Sequence, residues 1–501
     1  MIIDDQHYDI IIVGTGAGGG TLAQKLAPTG KRILILERGD FMPLEEQNRT
    51  NVDVFKRERY HAPEQWYDET GEPFSPQTNY AVGGNTKIYG AVLMRMRERD
   101  FEAVPHQEGT SPEWELKYSD FEPYYTEAEQ LYRVHGQTGA DPSEPLHSAE
   151  YPCSAVAHEP HVQSIVDAIA AQNLHPTPLP LTLADQDDDP TGDSEVFGIQ
   201  PALQYKNVTL KTSALVTGLH TNPSGRIVKA VEAQVGDQAI LFTGDIIVLA
   251  CGAINSAALL LRSANDKHPH GLANRTDLVG RNLMKQQMTA IVQLSTSVNS
   301  GTFPRSVSVN DFYWGDDNYD YPMGHIYNTG GLLQDVIFAE SPPLLSVLAK
   351  VLPGFGLKQL AMRSIGWWAQ TETLPDPQSR VRLDKGKLRL EYTPNNTEAH
   401  DRLVYRWMDV LQAVEKSVKG FQRSGVYPRA EVPVQVVASQ CGTCRLGSDP
   451  ATSVLDLNCR THELDNLYVV DSSFFPSCSS ISPGLTVIAN ALRVGDHLCH
   501  L

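Results

Sequence analysis

A mixed α/β fold of more than one domain is predicted by this sequence, on three observations. Residues 9–13 and 31–37 are short apolar runs that flank a glycine-rich turn and a helical stretch. Residues 246–250 repeat the pattern, an apolar run turning through Gly252 into a helix. Residues 466–498 show it a third time, a strand ending in Asp471 and, after a loop, a helix. Runs without polar alternation belong to strands covered on both faces, as in parallel sheets.

Size and charge set the outer bounds. The chain has 501 residues, long for one domain of roughly 100–200 residues. With 41 basic and 60 acidic side chains it carries a net charge of −19, which repels nucleic acid and anionic lipid. An apolar fraction of 41% supports a sizeable core and excludes wholesale disorder. Seven cysteines in such a length are no disulfide scaffold. Residues 1–8 are polar and acidic, unlike a secretory leader. No apolar run reaches the roughly 18 residues of a membrane-spanning helix. A soluble, cytoplasmic protein is expected.

The first unit reads D-I-I-I-V, then Gly14-Thr15-Gly16-Ala17-Gly18-Gly19, a helical stretch over 21–26, and K-R-I-L-I-L-E. This is strand, G-x-G-x-x-G turn, helix, strand. Gly14 permits the tight turn, Gly16 lets backbone approach a pyrophosphate, and Gly19 lets the helix pack on the strand. Glu37 lies 23 residues after Gly14, close to the roughly 20-residue spacing of a carboxylate that binds ribose. A dinucleotide site follows, with FAD and NAD both open at this point.

Two further segments choose between them. Residues 79–97 read N-Y-A-V-G-G-N-T-K-I-Y-G-A-V-L-M-R-M-R, where paired glycines suit backbone passing close to a flat ligand. The C-terminal stretch pairs N-L-Y-V-V-D-S-S-F-F-P with S-P-G-L-T-V-I-A-N-A-L-R-V-G-D-H-L. Together these blocks resemble the glucose-methanol-choline (GMC) flavoprotein oxidoreductases, from about residue 8 to the end. The resemblance implies a Rossmann-like FAD-binding domain, with an inserted substrate domain built on an antiparallel sheet plus helices. The expected division is 1–110, 200–284 and 432–501 for FAD, and 111–199 and 285–431 for substrate.

The resemblance also implies the cofactor residues. Gly14, Thr15, Gly16, Ala17 and Gly19, with Glu37 and Arg38, would hold the pyrophosphate and ribose of FAD. Gly83, Gly84, Asn85, Thr86, Tyr89 and Gly90 would lie along the cofactor. Val216 would meet the adenine through its backbone. Cys251, Gly252 and Ser256 complete that end, and Asp471 would stand near the ribityl chain. Pro483, Leu485 and Thr486 would face the flavin ring. Where some members carry a histidine that bonds the flavin covalently, this chain has Ile88, so the FAD is expected to be non-covalent. Ser482 and Pro483 read as N-cap and first residue of a last helix ending near Gly495, its positive end toward the flavin.

The family reaction oxidises a CH–OH donor to a carbonyl, with hydride passing to flavin N5. It normally uses a histidine three residues before the Gly of G-T-x-R-x-G and an Asn or His before the Pro of the last helix. Those positions are Ser439 and Ser482 here. A serine hydroxyl is a poor base, and losing a positioned base typically costs about 10²–10⁴-fold in rate. Candidate substitutes are Tyr89, which replaces a common Asn, and His325. Gln286 stands where the family often has His, a change read as structural.

The cysteines offer a rival chemistry. Cys441 lies two residues after Ser439 and would share its face in an extended segment. Cys478 lies four residues before Ser482, and Cys441 with Cys444 forms a C-x-x-C. A dithiol beside a flavin exchanges two electrons with it readily; buried cysteine as plain packing is the favoured reading. Other rivals are a flavin enzyme outside dehydrogenase chemistry and a binding protein that holds FAD without turnover. No zinc site is expected from a single C-x-x-C. The acidic loop 184–194 lacks EF-hand spacing.

Substrate signals are faint. Leu344, Leu345, Leu348, Val351 and Leu352 form an apolar helical stripe, read as a core helix, or else as a lid over an apolar small-molecule substrate. Residues 311–321, rich in Asp and Tyr, are expected to form a polar entrance loop. These residues do not identify the electron acceptor.

Overall fold

Ile10, Ile11, Ile12 and Val13 close the first strand, Ile2–Val13, and are fully enclosed. They are apolar on both sides because each side is covered. The computed structural model describes residues 2–43, 45, 59–60, 62–183, 192–295, 305–329, 363–419, 427, 429–435 and 439–501. Within them, strands run in the order Val208–Lys211, Ile33–Leu36, Ile2–Val13, Gln238–Leu249, Val228–Val235, Ala214–Thr221. The first four are parallel, and Leu467–Val469 adds in parallel to Gln238–Leu249. Helix Ala17–Leu26 packs against the last helix, Gly484–Cys499.

A second sheet is antiparallel, in the order Arg429–Glu431, Gln287–Leu294, Ser364–Thr371, His325–Thr329, Val307–Val309, Pro176–Pro178. Its faces alternate as a pleated strand requires. Ile291, Ile326, Trp367 and Ala369 pack with Leu403, Trp407 and Val410 of helix Thr397–Ser417. The opposite face carries Tyr327 and Trp368, which cluster with Met94, Leu179, Leu181 and Ile481. His325 lies opposite Gln370 in the register, two residues from each of these. Their side chains therefore join the face that meets Ile481 and the start of the last helix.

Several expectations need correction. The aromatic side of helix Tyr118–Leu131 (Tyr118, Phe121, Tyr125) and Val381, Leu388 and Leu390 pack into the core of the parallel sheet. Residues 118–131 and 381–390 therefore share that core although assigned by sequence to the substrate side. The last helix begins at Gly484 and runs past Gly495 to Cys499, with Pro483 rather than Ser482 at its N-cap position. Residues 311–321 are no polar loop, since Phe312, Tyr313 and Tyr319 are buried. The apolar stripe 344–352 and residues 184–191 of the acidic loop lie outside the described residues.

Candidate active site

The glycine turn is shaped by close approach. Gly14 has φ +101°, which favours glycine, and a Cβ there would stand 2.4 Å from the Ala250 carbonyl oxygen. A Cβ on Gly19 would come within 2.0 Å of the Gly14 oxygen, and one on Gly84 within 3.0 Å of the Gly16 Cα. The two glycine segments thus touch. At Gly16 and Gly252, by contrast, a Cβ would meet nothing within 4 Å. Beside that open space, helix Ala17–Leu26 starts at Gly16 with no side-chain cap and no acid in its first turn. Free N–H groups and a positive dipole end next to open space fit a pyrophosphate.

Two buried acids fasten the turns around this cradle. Glu37 accepts from Thr15 N (3.1 Å), Thr15 Oγ1 (2.6 Å) and Gly39 N (2.9 Å). Asp471 accepts from Gly252 N (3.0 Å), Ser256 Oγ (2.5 Å), Ser473 N (3.0 Å) and Ser473 Oγ. Burial pushes both carboxyl groups above their usual range, and these hydrogen bonds pull the other way by favouring the charged form. Each acid ties one turn to another. Ala214 N donates to the Glu37 carbonyl (2.8 Å), which brings the strand of Val216 to the same end. Arg38 lies over the Tyr80 ring (3.4 Å to its centre) and pairs with Glu64.

The second glycine block is held by its own side chains. Asn85 Oδ1 accepts from Asn79 N (2.9 Å), and Thr86 Oγ1 donates to Gly83 O (2.6 Å). Ser194 Oγ bonds the carbonyls of Thr15 (3.0 Å) and Gly16 (2.9 Å). Beside it Lys87 is buried between Asp193 (2.8 Å) and Glu195 (2.9 Å). Ile88 is half-buried. Tyr89 donates to Gly192 O (2.7 Å), and burial drives its phenol well above 10. A phenol so placed is no substitute base. Cys251 bonds Val13 O (3.4 Å) and burial pushes it to about 12. Leu485 is buried, and the Thr486 hydroxyl is engaged with Tyr125 (2.7 Å).

The two serines at the family's catalytic positions differ from expectation. Ser439 has φ +55° and stands before the short strand Gln440–Cys441, so the extended backbone begins only after it. Ser482 caps nothing. No N–H of the last helix bonds it among the described residues, and its Oγ lies 3.2 Å from Gln370 Nε2. Gln286 Nε2 donates to Ser479 O (2.9 Å) and Ile481 O (2.6 Å), so Gln286 Oε1 must accept. The partner at Gln286 Oε1 is Gln370 Nε2. This fixes the Gln370 amide with its N–H groups toward Ser482. Ser482 then accepts from Gln370, and its own O–H is free to donate elsewhere.

His325 is buried on the same sheet face. Its Nδ1 lies 2.6 Å from Asn310 Oδ1, and Asn310 Nδ2 donates to Asp141 (2.6 Å), which pairs with Arg97 (2.5 Å). The Asn310 amide is oriented by Asp141, so His325 carries its proton on Nδ1 and leaves Nε2 as an acceptor. Among the described residues nothing hydrogen-bonds that Nε2. Burial, with Arg97 adding to it, pushes the imidazole down to about 3. His400 is pushed down to about 3 as well, chiefly by burial. Unfolded histidine protonates near 6.5, so folding stability is full above that pH and falls as pH drops toward 3. We expect about 1.4 kcal/mol lost per pH unit per histidine in that window, read from denaturant midpoints. His325→Gln should flatten part of the slope.

The cysteines divide. The Cys441 thiol lies beside that of Cys478, and Cys478 Sγ donates to Thr373 O (3.3 Å). Cys444 turns instead to Thr443 and Ser473, so the C-x-x-C does not close on itself. All described cysteines are free thiols. Gln370 and the residues Asn310, Asp141 and Arg97 behind His325 carry no mark in the sequence. They are scattered over more than 270 positions and have no motif spacing.

A nucleotide cradle joined to an antiparallel sheet whose polar face meets the last helix defines a two-part, dinucleotide-dependent oxidoreductase. Family comparison is specific. Residues 8–288 match the N-terminal model of the GMC oxidoreductases and residues 375–491 the C-terminal model. The chain belongs to the GMC oxidoreductase family and is an FAD-dependent oxidoreductase. It is 28% identical to 6‴-hydroxyparomomycin C oxidase of Streptomyces lividus, covering 99% of this chain and 92% of that protein. Fructose dehydrogenase large subunit of Gluconobacter japonicus is 25% identical, with 97% of each covered. In fold, it resembles pyridoxine 4-oxidase from Mesorbium loti at a TM-score of 0.74 and 19% identity, 99% of each chain covered. A formate oxidase of Aspergillus oryzae, solved in a study of its FAD modification, aligns at 0.69 and 15%, covering 99% and 98%.

Proposed function

We propose that this chain oxidises the CH–OH group of a small molecule to a carbonyl, with Ser482 and His325 handling the hydroxyl in place of the family's histidine pair. The observation that carries this reading is that the sheet face bearing His325 and Gln370 meets Ser482. Bound non-covalently, FAD would take the hydride from the carbinol carbon. His325 Nε2 accepts the hydroxyl proton, and the free Ser482 O–H donates to the oxygen as it becomes a carbonyl. Gln370 holds Ser482, and Gln286 holds Gln370. Gly14, Gly16, Gly19 and Gly84 shape the pyrophosphate cradle, with Glu37 and Asp471 as its fasteners.

Relatives that act on hydroxylated compounds support the substrate class. Two Streptomyces relatives are named for 6‴-hydroxyparomomycin C and for paromamine, and others for fructose and for 2-methyl-1,2-propanediol. The test is anaerobic: a panel of sugars, polyols and hydroxy acids is mixed with the purified yellow protein and bleaching is followed. If no member of the panel bleaches the flavin, the proposal fails. Acid precipitation should release the FAD, since Ile88 offers no side chain to bond it.

A second reading rests on the Cys441–Cys478 contact. That pair could pass two electrons as a disulfide, but burial raises the Cys441 thiol well above 9 and withholds the thiolate that exchange requires. A reductive titration is therefore expected to take up two electrons per FAD. Uptake of four would favour a flavin–dithiol enzyme instead.

The pH profile separates the proposed base from an ordinary one. With His325 held near 3, the rate of flavin reduction should show no acid limb near 6.5 and stay level from about pH 5 to 8.

A further inference from the structure

Arg305 stands against Gly90, with no acid beside it among the described residues. No ion pair or hydrogen bond engages its guanidinium among the described residues, and its Nε is buried without a partner. Burial pushes it below its usual range. Arg305 is half-buried, and an arginine whose Nε is enclosed without an anion is costly to hold, since such groups are ordinarily paired. A Cβ on Gly90 would fall 2.4 Å from Arg305 Nη1, so the tip of the guanidinium lies against Gly90. Asn328 Oδ1 accepts from Ser306 N (2.9 Å) and Val307 N (2.8 Å) and anchors the chain just beyond. Burial raises the Tyr327 phenol to about 12, with the Arg305 charge opposing it. The Tyr327 ring stacks on His325, their centres 5.0 Å apart.

We propose that Arg305 binds an anionic group of the substrate, a carboxylate or phosphate carried a few bonds from the alcohol that His325 receives. The inference rests on the alcohol-oxidation reading and narrows it. A net charge of −19 repels anions from the protein as a whole, so an anionic substrate needs one local, partly buried cation to hold it. A planar guanidinium meets both oxygens of a carboxylate or phosphate at once. The same cation repels an ammonium group in that position.

The test uses the FAD-loaded protein and matched pairs of probes: gluconate against glucose, and glycerol 3-phosphate against glycerol. Binding is read from the visible flavin spectrum, before and apart from turnover. The anion of at least one pair should bind more tightly than its neutral partner. Arg305→Gln should weaken the anion by about 10- to 100-fold, the worth of a charge-assisted bond, and leave the neutral partner unchanged. Arg305→Lys should retain part of the preference and shows that the site tolerates substitution. Equal binding of charged and neutral partners by the wild type overturns the proposal. So does an Arg305→Gln protein that binds anions normally but has a lowered flavin potential, which would mean that the cation serves the reduced cofactor. Anion binding without bleaching by any alcohol would retain Arg305 as an anion site and defeat the oxidase reading alone.

Discussion

Gly16→Val is expected to yield a folded protein that purifies colourless. The Gly16 Cα faces open space, its φ of −66° suits any residue, and no protein atom lies within 4 Å of an added Cβ. The fold therefore does not need glycine there. FAD does, because the added branch would occupy the volume in which pyrophosphate oxygens reach the first N–H groups of helix Ala17–Leu26. Each such charge-assisted bond is worth about 1.5–3 kcal/mol, so loss of two lowers FAD affinity at least about 100-fold. Circular dichroism should match the wild type while the visible spectrum is lost. Gly19→Val is the contrast. Its Cβ would meet Gly14 O at 2.0 Å and the Ala250 side chain at 3.0 Å. Overpacking at a helix–strand contact costs about 1–3 kcal/mol or more, and that variant should lose stability as well as FAD. A yellow Gly16→Val protein would show that the pyrophosphate lies elsewhere.

His325→Gln is expected to keep FAD and lower the rate of flavin reduction by about 10²–10⁴-fold, the usual effect of removing a positioned base. Glutamine retains a polar contact for Asn310 and much of the volume, so the variant should fold. Stopped-flow reduction under anaerobic conditions separates the chemical step from reoxidation. A structural role would lower the melting temperature and leave the limiting reduction rate unchanged. Asn310→Ala should lower the same rate by a smaller factor, since the ring stays in place but its proton is no longer held on Nδ1. An unchanged rate in His325→Gln would return the base to Ser439 or to solvent.

Residues close in sequence were the readable ones. Gly14, Gly16, Gly19 and Glu37 carry a local pattern whose physics is complete within one strand–turn–helix–strand unit. The apolar runs 9–13, 33–36 and 246–249 announced strands covered on both faces, and these are the strands that pair in parallel. The failures share a cause. Ser482 looked like an N-cap because the residue type favours that role, yet Gln370 from a strand 112 positions away engages it. Extended backbone was expected from Ser439 on, but Ser439 is left-handed and the strand begins at Gln440. Residues 311–321 looked exposed because Asp and Tyr are polar, but packing buried the aromatic rings.

By itself the sequence determined the fold class and the glycine turn of a dinucleotide cradle, because each depends on residue type at short spacing. Only the tertiary structure decided which distant polar side chains lie together on the second sheet. His325, Gln370 and Ser482 come from three separate segments and are joined through sheet register and the fixed orientation of two amides. No local propensity encodes that meeting, since it is set by which face of a strand each residue occupies and by what packs against it.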